Sequence, residues 1–170
     1  MKNVTKFFAL SIVMLAFAAS TFAQPGVSAT ATATATIITP IAISKDVDMN
    51  FGNVAVNASA GTVILAPAST RTVSEGCTLP TPIGTVSAAS FTVTGLAAST
   101  YSITLPAAAT TITAVSNITV DTWTSTPTPT GTLTAGTSTL TIGATLHVGA
   151  SQAAGVYVSA IPFIVTVNYN

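Results

Sequence analysis

Alternation with a period of two runs through most of this chain, and it limits the fold more than any other feature. In "SATATATATIITPIAIS" (Ser28 to Ser44), Ala29, Ala31, Ala33, Ala35 and Ile37 alternate with Thr30, Thr32, Thr34 and Thr36. The run then turns oilier through Ile38, Ile41 and Ile43. Successive side chains of a strand point to opposite faces, so this run has one apolar face and one hydroxyl face. The same parity aligns Phe91 with Val93, and Tyr101 with Ile103 and Leu105. It also aligns Leu140, Ile142, Ala144, Leu146 and Val148, with His147 on the opposite, polar face. Near the C-terminus, Ile161, Phe163, Val165, Val167 and Tyr169 share one face against Pro162, Ile164, Thr166 and Asn168.

No segment sustains apolar residues at helical spacing. Short period-2 runs bounded by Gly, Pro and Asn predict an all-β chain, an antiparallel β-sandwich with one core face per strand. Strands are expected at 29–44, 48–56, 61–66, 70–74, 85–94, 100–105, 109–120, 120–125, 132–134, 138–148 and 155–169. Turn-rich stretches such as "NASAG", "EGCTLPTPIG", "TGLAAS" and "STPTPTG" separate them.

The first residues read as an export signal. Lys2 and Lys6 precede the apolar run Phe7 to Ala19, and Thr21 and Ala23 supply small residues for cleavage before Gln24. The run is shorter than the roughly 20 residues a membrane-spanning helix needs. Residues 1–23 are therefore expected to be a signal peptide, 24–36 an N-terminal Ala/Thr extension and 37–170 the sandwich domain. No lipidation cysteine follows the expected cut, so the mature chain is expected to be soluble or polymeric, without membrane insertion.

Charge is scarce: 5% of residues, against about 25% in ordinary soluble proteins. Beyond the signal only Lys45 and Arg71 are basic, against Asp46, Asp48, Glu75 and Asp121. Such a surface cannot neutralise a phosphate backbone, which excludes nucleic-acid binding. Nor does it hold monomers apart, so self-association is the expected behaviour.

No enzymatic constellation is apparent, and no catalytic residue or cofactor is assigned. Nucleophilic hydrolysis needs a base beside a hydroxyl, and His147 is the only histidine, read as an ordinary exposed residue. In "DVDMNFG" (Asp46 to Gly52), Asp46, Asp48 and Asn50 alternate as weak candidate calcium ligands. It is not an EF-hand, because Phe51 occupies the glycine position and Asn57 the position of the bidentate glutamate. Cys77, the sole cysteine, is read as a small buried or loop thiol, with an intermolecular bridge as the alternative. Ranks of threonine such as "TVT" and "TLT" are unevenly spaced, which disfavours a stacked ice-binding array.

The stretch "TPIAISKDVDMNFGNVAVNASAGTVILAPAST" (Thr39 to Thr70) resembles a bacterial secreted family catalogued as domain of unknown function 4402. The likeness continues through "FTVTGLAASTYSITLP" and "TLTIGATLHVGASQAAGVYVSAIPFIVTVNYN" to the C-terminus. The ending, from Gly155 to the penultimate Tyr169, is also similar, more loosely, to chaperone–usher pilus subunits. That resemblance implies an Ig-like, fimbrial-type sandwich whose missing strand comes from a neighbour's N-terminal extension. The implied donor positions are Ala29, Ala31, Ala33, Ala35 and Ile37, and the implied C-terminal strand carries Phe163, Val165, Val167 and Tyr169. A periplasmic chaperone and an outer-membrane usher would be its partners in transit, and the cell surface or fimbrium its destination.

The Ala/Thr run bears on this independently. At about 3.3 Å per residue it extends on the order of 50 Å, well beyond an ordinary strand of about 17–20 Å. Either Pro40 splits it between two strands of one sandwich, or the part before Ile37 serves outside that sandwich. Alanine buries little area, which weakens such a segment as a plug. The expectation is a secreted structural subunit assembling by β-strand addition. The alternative is a monomeric sandwich binding carbohydrate or a surface partner, with Trp123 and the "STPTPTG" loop as the place for a sugar to stack.

Overall fold

The computed structural model describes residues 26–170, so the expected signal segment 1–23 lies outside the described residues. Two units are distinguished, ending and beginning at Thr36 and Ile37. In the first, residues 26–36 take no strand, turn or bend.

The second unit is all-β. Its strands are β1 (Ala42–Val47), β2 (Asn50–Phe51), β3 (Ala55–Val56), β4 (Gly61–Leu65), β5 (Arg71–Val73), β6 (Cys77–Thr78), β7 (Val86–Ser87) and β8 (Ala89–Thr94). They continue with β9 (Thr100–Thr104), β10 (Thr110–Thr113), β11 (Asn117–Thr126), β12 (Thr130–Thr132), β13 (Thr137–Val148), β14 (Val158–Ser159) and β15 (Thr166–Tyr169).

The long strand β13 organises the larger sheet. Along one edge it pairs first with β8, through Thr137–Ile142, and then with β4, through Ala144–Val148. Along the other edge it pairs with β11. β1 extends the sheet beyond β8, β5 extends it beyond β4, and β10 followed by β14 extends it beyond β11. A second sheet has the order β12-β9-β15, and β2–β7 and β3–β6 form two short ribbons. Every pairing is antiparallel.

The core follows from the parity of β13. Leu140 and Ile142 enter one apolar cluster with Ala89, Val93, Tyr101, Leu133 and Val167. Ala144, Leu146 and Val148, on the same strand face, enter a second cluster with Val63, Cys77, Ile118 and Val120. Met49 and Trp123 lie against both. Each fully buried Leu, Ile or Val contributes roughly 1.5–3 kcal/mol, so this one strand face anchors both halves of the core. Between the halves, Gly143 marks the place where the neighbour of β13 changes from β8 to β4.

Several strands differ from the sequence expectation, each for a physical reason. The strand expected over 29–44 forms only from Ala42, because the Ala/Thr part has little apolar area and no neighbouring strand to receive its amides. The run 48–56 breaks into β2 and β3 at Gly52, whose φ of 66° belongs to the left-handed region. There the side-chain oxygen of Asn50 accepts the Gly52 N–H at 2.8 Å. Residues 109–125 form a hairpin, β10 and β11, around a bend at Ala114–Ser116. The expected strand at 132–134 lies instead at Thr130–Thr132. The last run, 155–169, is interrupted by bends at Ala160 and Ile161 before Pro162, leaving β14 and β15. The short strand Cys77–Thr78 had no counterpart in the sequence expectation.

Candidate functional site

The C-terminal stretch Ile161–Tyr169 ends in the last strand of the smaller sheet. β15 pairs only with β9, in the register Thr166↔Thr104 to Tyr169↔Tyr101. Asn170 N–H donates to Thr100 O at 3.3 Å, whereas Ile103 N–H donates to Pro129 O at 3.0 Å. In an antiparallel ladder the bonding direction alternates residue by residue. Thr166 and Asn168 therefore bond toward β9, and the amide groups of Val167 and Tyr169 point away from it. No described residue makes a backbone hydrogen bond to Ile161–Val165.

From Phe163 onward the side chains of this stretch divide by parity, whereas Ile161, expected on the Phe163 face, lies at the bend before Pro162 and stays in solvent. Phe163, Val165, Val167 and Tyr169 all pack against the Tyr101–Leu133–Leu140 cluster, although only the last two lie in β15. Ile161 and Ile164 stay 78% and 76% exposed. Two aliphatic residues left in solvent beside unpaired amides make an edge to which another strand can be added.

Tyr169 ties this edge to the start of β1. Its hydroxyl donates to Thr39 O at 2.7 Å and accepts the Leu96 N–H at 2.6 Å. The ring tip lies over Gly95, where a Cβ would come within 2.3 Å of the hydroxyl oxygen. Residues 37–41 that precede β1 take no strand, and Ile37 and Ile38 are 98% and 48% exposed. The positions Ala29, Ala31, Ala33, Ala35 and Ile37 are all exposed and outside every ladder among the described residues.

The remaining candidate residues occupy separate places. Asp46 accepts from the Thr92 hydroxyl at 2.8 Å, Asp48 pairs with Lys45 at 2.7 Å, and Asn50 holds the Gly52 turn. Their oxygens thus serve three different donors. Among the described residues no group of three or more His, Cys, Asp or Glu is placed to hold a metal ion. Cys77 is buried in the Val63–Leu146 cluster as a free thiol, and burial pushes its pKa up. Trp123 is partly buried, its ring stacked obliquely on Phe163 with centroids 4.5 Å apart, and its Nε1 is buried with no hydrogen-bond partner among the described residues.

One polar pair was not foreseen from the sequence. His147 Nε2 lies 2.7 Å from Asp121 Oδ1, across the β11–β13 ladder. Hydrogen bonds from His147 and Thr122 hold the Asp121 carboxyl below the usual carboxylate range. On the other side, His147 stands opposite Thr62, whose hydroxyl is 2.8 Å from that of Ser74. Only the strand pairing brings these residues together, so no local sequence signal could have found them. The two hydroxyls engage each other rather than the imidazole, and a nucleophile needs the hydroxyl–imidazole bond.

The geometry defines a class: an all-β antiparallel sandwich. Residues 41–169 match the family described as Domain of unknown function (DUF4402), and the chain belongs to that family. None of the curated proteins and none of the solved structures matches the chain significantly.

Proposed function

We propose that this chain is an exported structural subunit of the cell surface, pilus- or fimbria-like, that assembles by β-strand addition. The observation that carries this reading is the Ala/Thr run itself. It keeps strict strand parity, yet residues 26–41 enter no ladder among the described residues. A sequence with strand parity and no sheet of its own is suited to completing another, because main-chain hydrogen bonds supply affinity and alternate side chains supply register. A head-to-tail contact of this kind is heterologous and propagates into a filament rather than closing. The scarcity of charge supports the same reading, since few charges oppose close subunit contact. A periplasmic chaperone covering the open edge during export, and an outer-membrane usher, fit this function as partners.

The test compares residues 24–170 with residues 37–170 by electron microscopy and light scattering. Filaments from the longer form alone are the expected result. Identical monodisperse behaviour of both forms, with and without a co-expressed periplasmic chaperone, would overturn the reading.

A further inference from the structure

We propose that the solvent face of β8 and β13 binds ice, through ranks of threonine hydroxyls that strand pairing aligns. The threonine pairs are unevenly spaced along the chain, which rules out an array built by stacking equal coils. Antiparallel register brings them side by side instead. Nothing in this proposal depends on how copies of the chain assemble.

β8 and β13 pair without a register shift, as Thr94↔Thr137, Thr92↔Thr139 and Ser90↔Thr141. Val93, Leu140 and Ile142, which alternate with them, are wholly buried, so these hydroxyl residues share the outward face. Thr94, Thr137 and Thr139 are exposed, and Ser90, Thr92 and Thr141 are half-buried. Both strands lie inside the sheet, flanked by β1 and β11. Those neighbours extend the rows, with Ser44 opposite Thr92 and Thr126 opposite Thr141. Beyond Thr141 the array stops at Gly143, which the chain leaving β4 crosses.

The hydroxyls are available. Thr92 donates to Asp46 at 2.8 Å and Thr141 to Thr126 O at 3.4 Å, and a hydroxyl that donates still accepts. No charged or aromatic side chain stands at any outward position of the two strands. A charge would hold a hydration shell that a crystal lattice cannot accept, and an aromatic ring is what a sugar would stack on.

Spacing selects ice as the occupant. Alternate residues of an antiparallel strand lie about 6.8 Å apart, and neighbouring strands about 4.8 Å apart. Water oxygens on a prism face of ice repeat at closely similar intervals in two perpendicular directions. Threonine holds such a grid cheaply, because branching at Cβ fixes χ1 and leaves little side-chain entropy to lose. Neighbouring strands are rotated by about 20–25°, so the match is confined to β8, β13 and the hydroxyls beside them. A patch of about 14 Å each way adsorbs to ice without strongly depressing the freezing point, so uptake into ice is the measurement to make.

The experiment uses the full chain, exported by a bacterial host and mixed with serum albumin while ice grows slowly on a cooled probe. The protein-to-albumin ratio in the ice, relative to that in the liquid, reads binding. Wild type is expected to be enriched several-fold. Thr139→Lys puts a hydrated charge in the middle of the β13 rank and is expected to return the ratio to the albumin level. Thr137→Lys, at the exposed end of that rank, is a second lesion with the same expectation. Thr72→Lys makes the same exchange on β5, opposite Ile64 and outside the array, and is expected to keep the wild-type enrichment. Circular dichroism identifies which variants are folded, and only those are compared. Wild type excluded from ice like albumin overturns the proposal, as does a folded array variant that is enriched like wild type. So does Thr72→Lys as depleted as the array variants, or wild type that binds crystalline cellulose and not ice.

Discussion

Gly143→Ala is expected to destabilise the Ile37–Asn170 unit by about 3 kcal/mol, a large part of the 5–15 kcal/mol that typically holds a domain together. Gly143 sits where the neighbour of β13 changes, and the chain leaving β4 crosses directly over it. A Cβ there would lie 2.1 Å from Leu65 O, 2.8 Å from the carbonyl carbon of Ala66 and 2.9 Å from Pro67 N. All three are backbone atoms, so no rotamer change relieves the contact. Restoring an ordinary separation requires β4 and β13 to part by more than 1 Å at the Ala144↔Leu65 pair. Overpacking of this kind costs about 1–3 kcal/mol, and weakening one or two ladder hydrogen bonds adds about 1 kcal/mol each. The lower backbone entropy of unfolded alanine returns only about 0.4–1 kcal/mol. For a unit of this size 1 kcal/mol moves Tm by about 4 °C, so a drop of about 12 °C is expected.

The assay is thermal unfolding followed by far-ultraviolet circular dichroism, with Gly149→Ala as the control. At Gly149 the nearest atom to a new Cβ is the Oε1 of Gln152, the end of a flexible side chain. That variant is expected to stay within about 0.5 kcal/mol of wild type. If Gly143→Ala melts within about 2 °C of wild type, the switch of neighbours at this residue is not the constrained crossing described here.

Tyr169→Phe removes a hydroxyl that bridges Thr39 O and Leu96 N–H, and is expected to cost about 1–2 kcal/mol, read as a lower urea midpoint. An unchanged midpoint would mean that the bridge contributes nothing to anchoring the start of β1. Cys77 is expected to resist a thiol reagent in the native protein at pH 8 and to react fully once urea unfolds it, since burial both shields the thiol and raises its pKa. Rapid native labelling would contradict its place in the core. Asp121 has a folded pKa below its unfolded value, so its contribution is present above about pH 4 and is lost as pH falls through the folded value. Because the pair is largely exposed, that loss is expected to be under about 1 kcal/mol. Asp121→Asn should abolish this part of the acid dependence when urea midpoints at pH 5 and pH 2.5 are compared.

Alternation along the chain specifies the secondary-structure class and the inward face of nearly every long strand. Leu140, Ile142, Ala144, Leu146 and Val148 are all buried and His147 is not, because side-chain direction in a strand is a matter of parity alone. The same parity placed Phe163, Val165, Val167 and Tyr169 on one face, and they pack against one cluster. Which strands become neighbours was decided only in three dimensions, since antiparallel pairing joins residues far apart in the chain through amides that every residue possesses. For this reason the Asp121–His147 pair, the change of neighbour at Gly143 and the embedding of Trp123 between two clusters had no local signature. The Ala/Thr run shows the division most directly. Its alternation gave it two distinct faces, but parity does not supply a neighbour, and among the described residues of its own chain it has none.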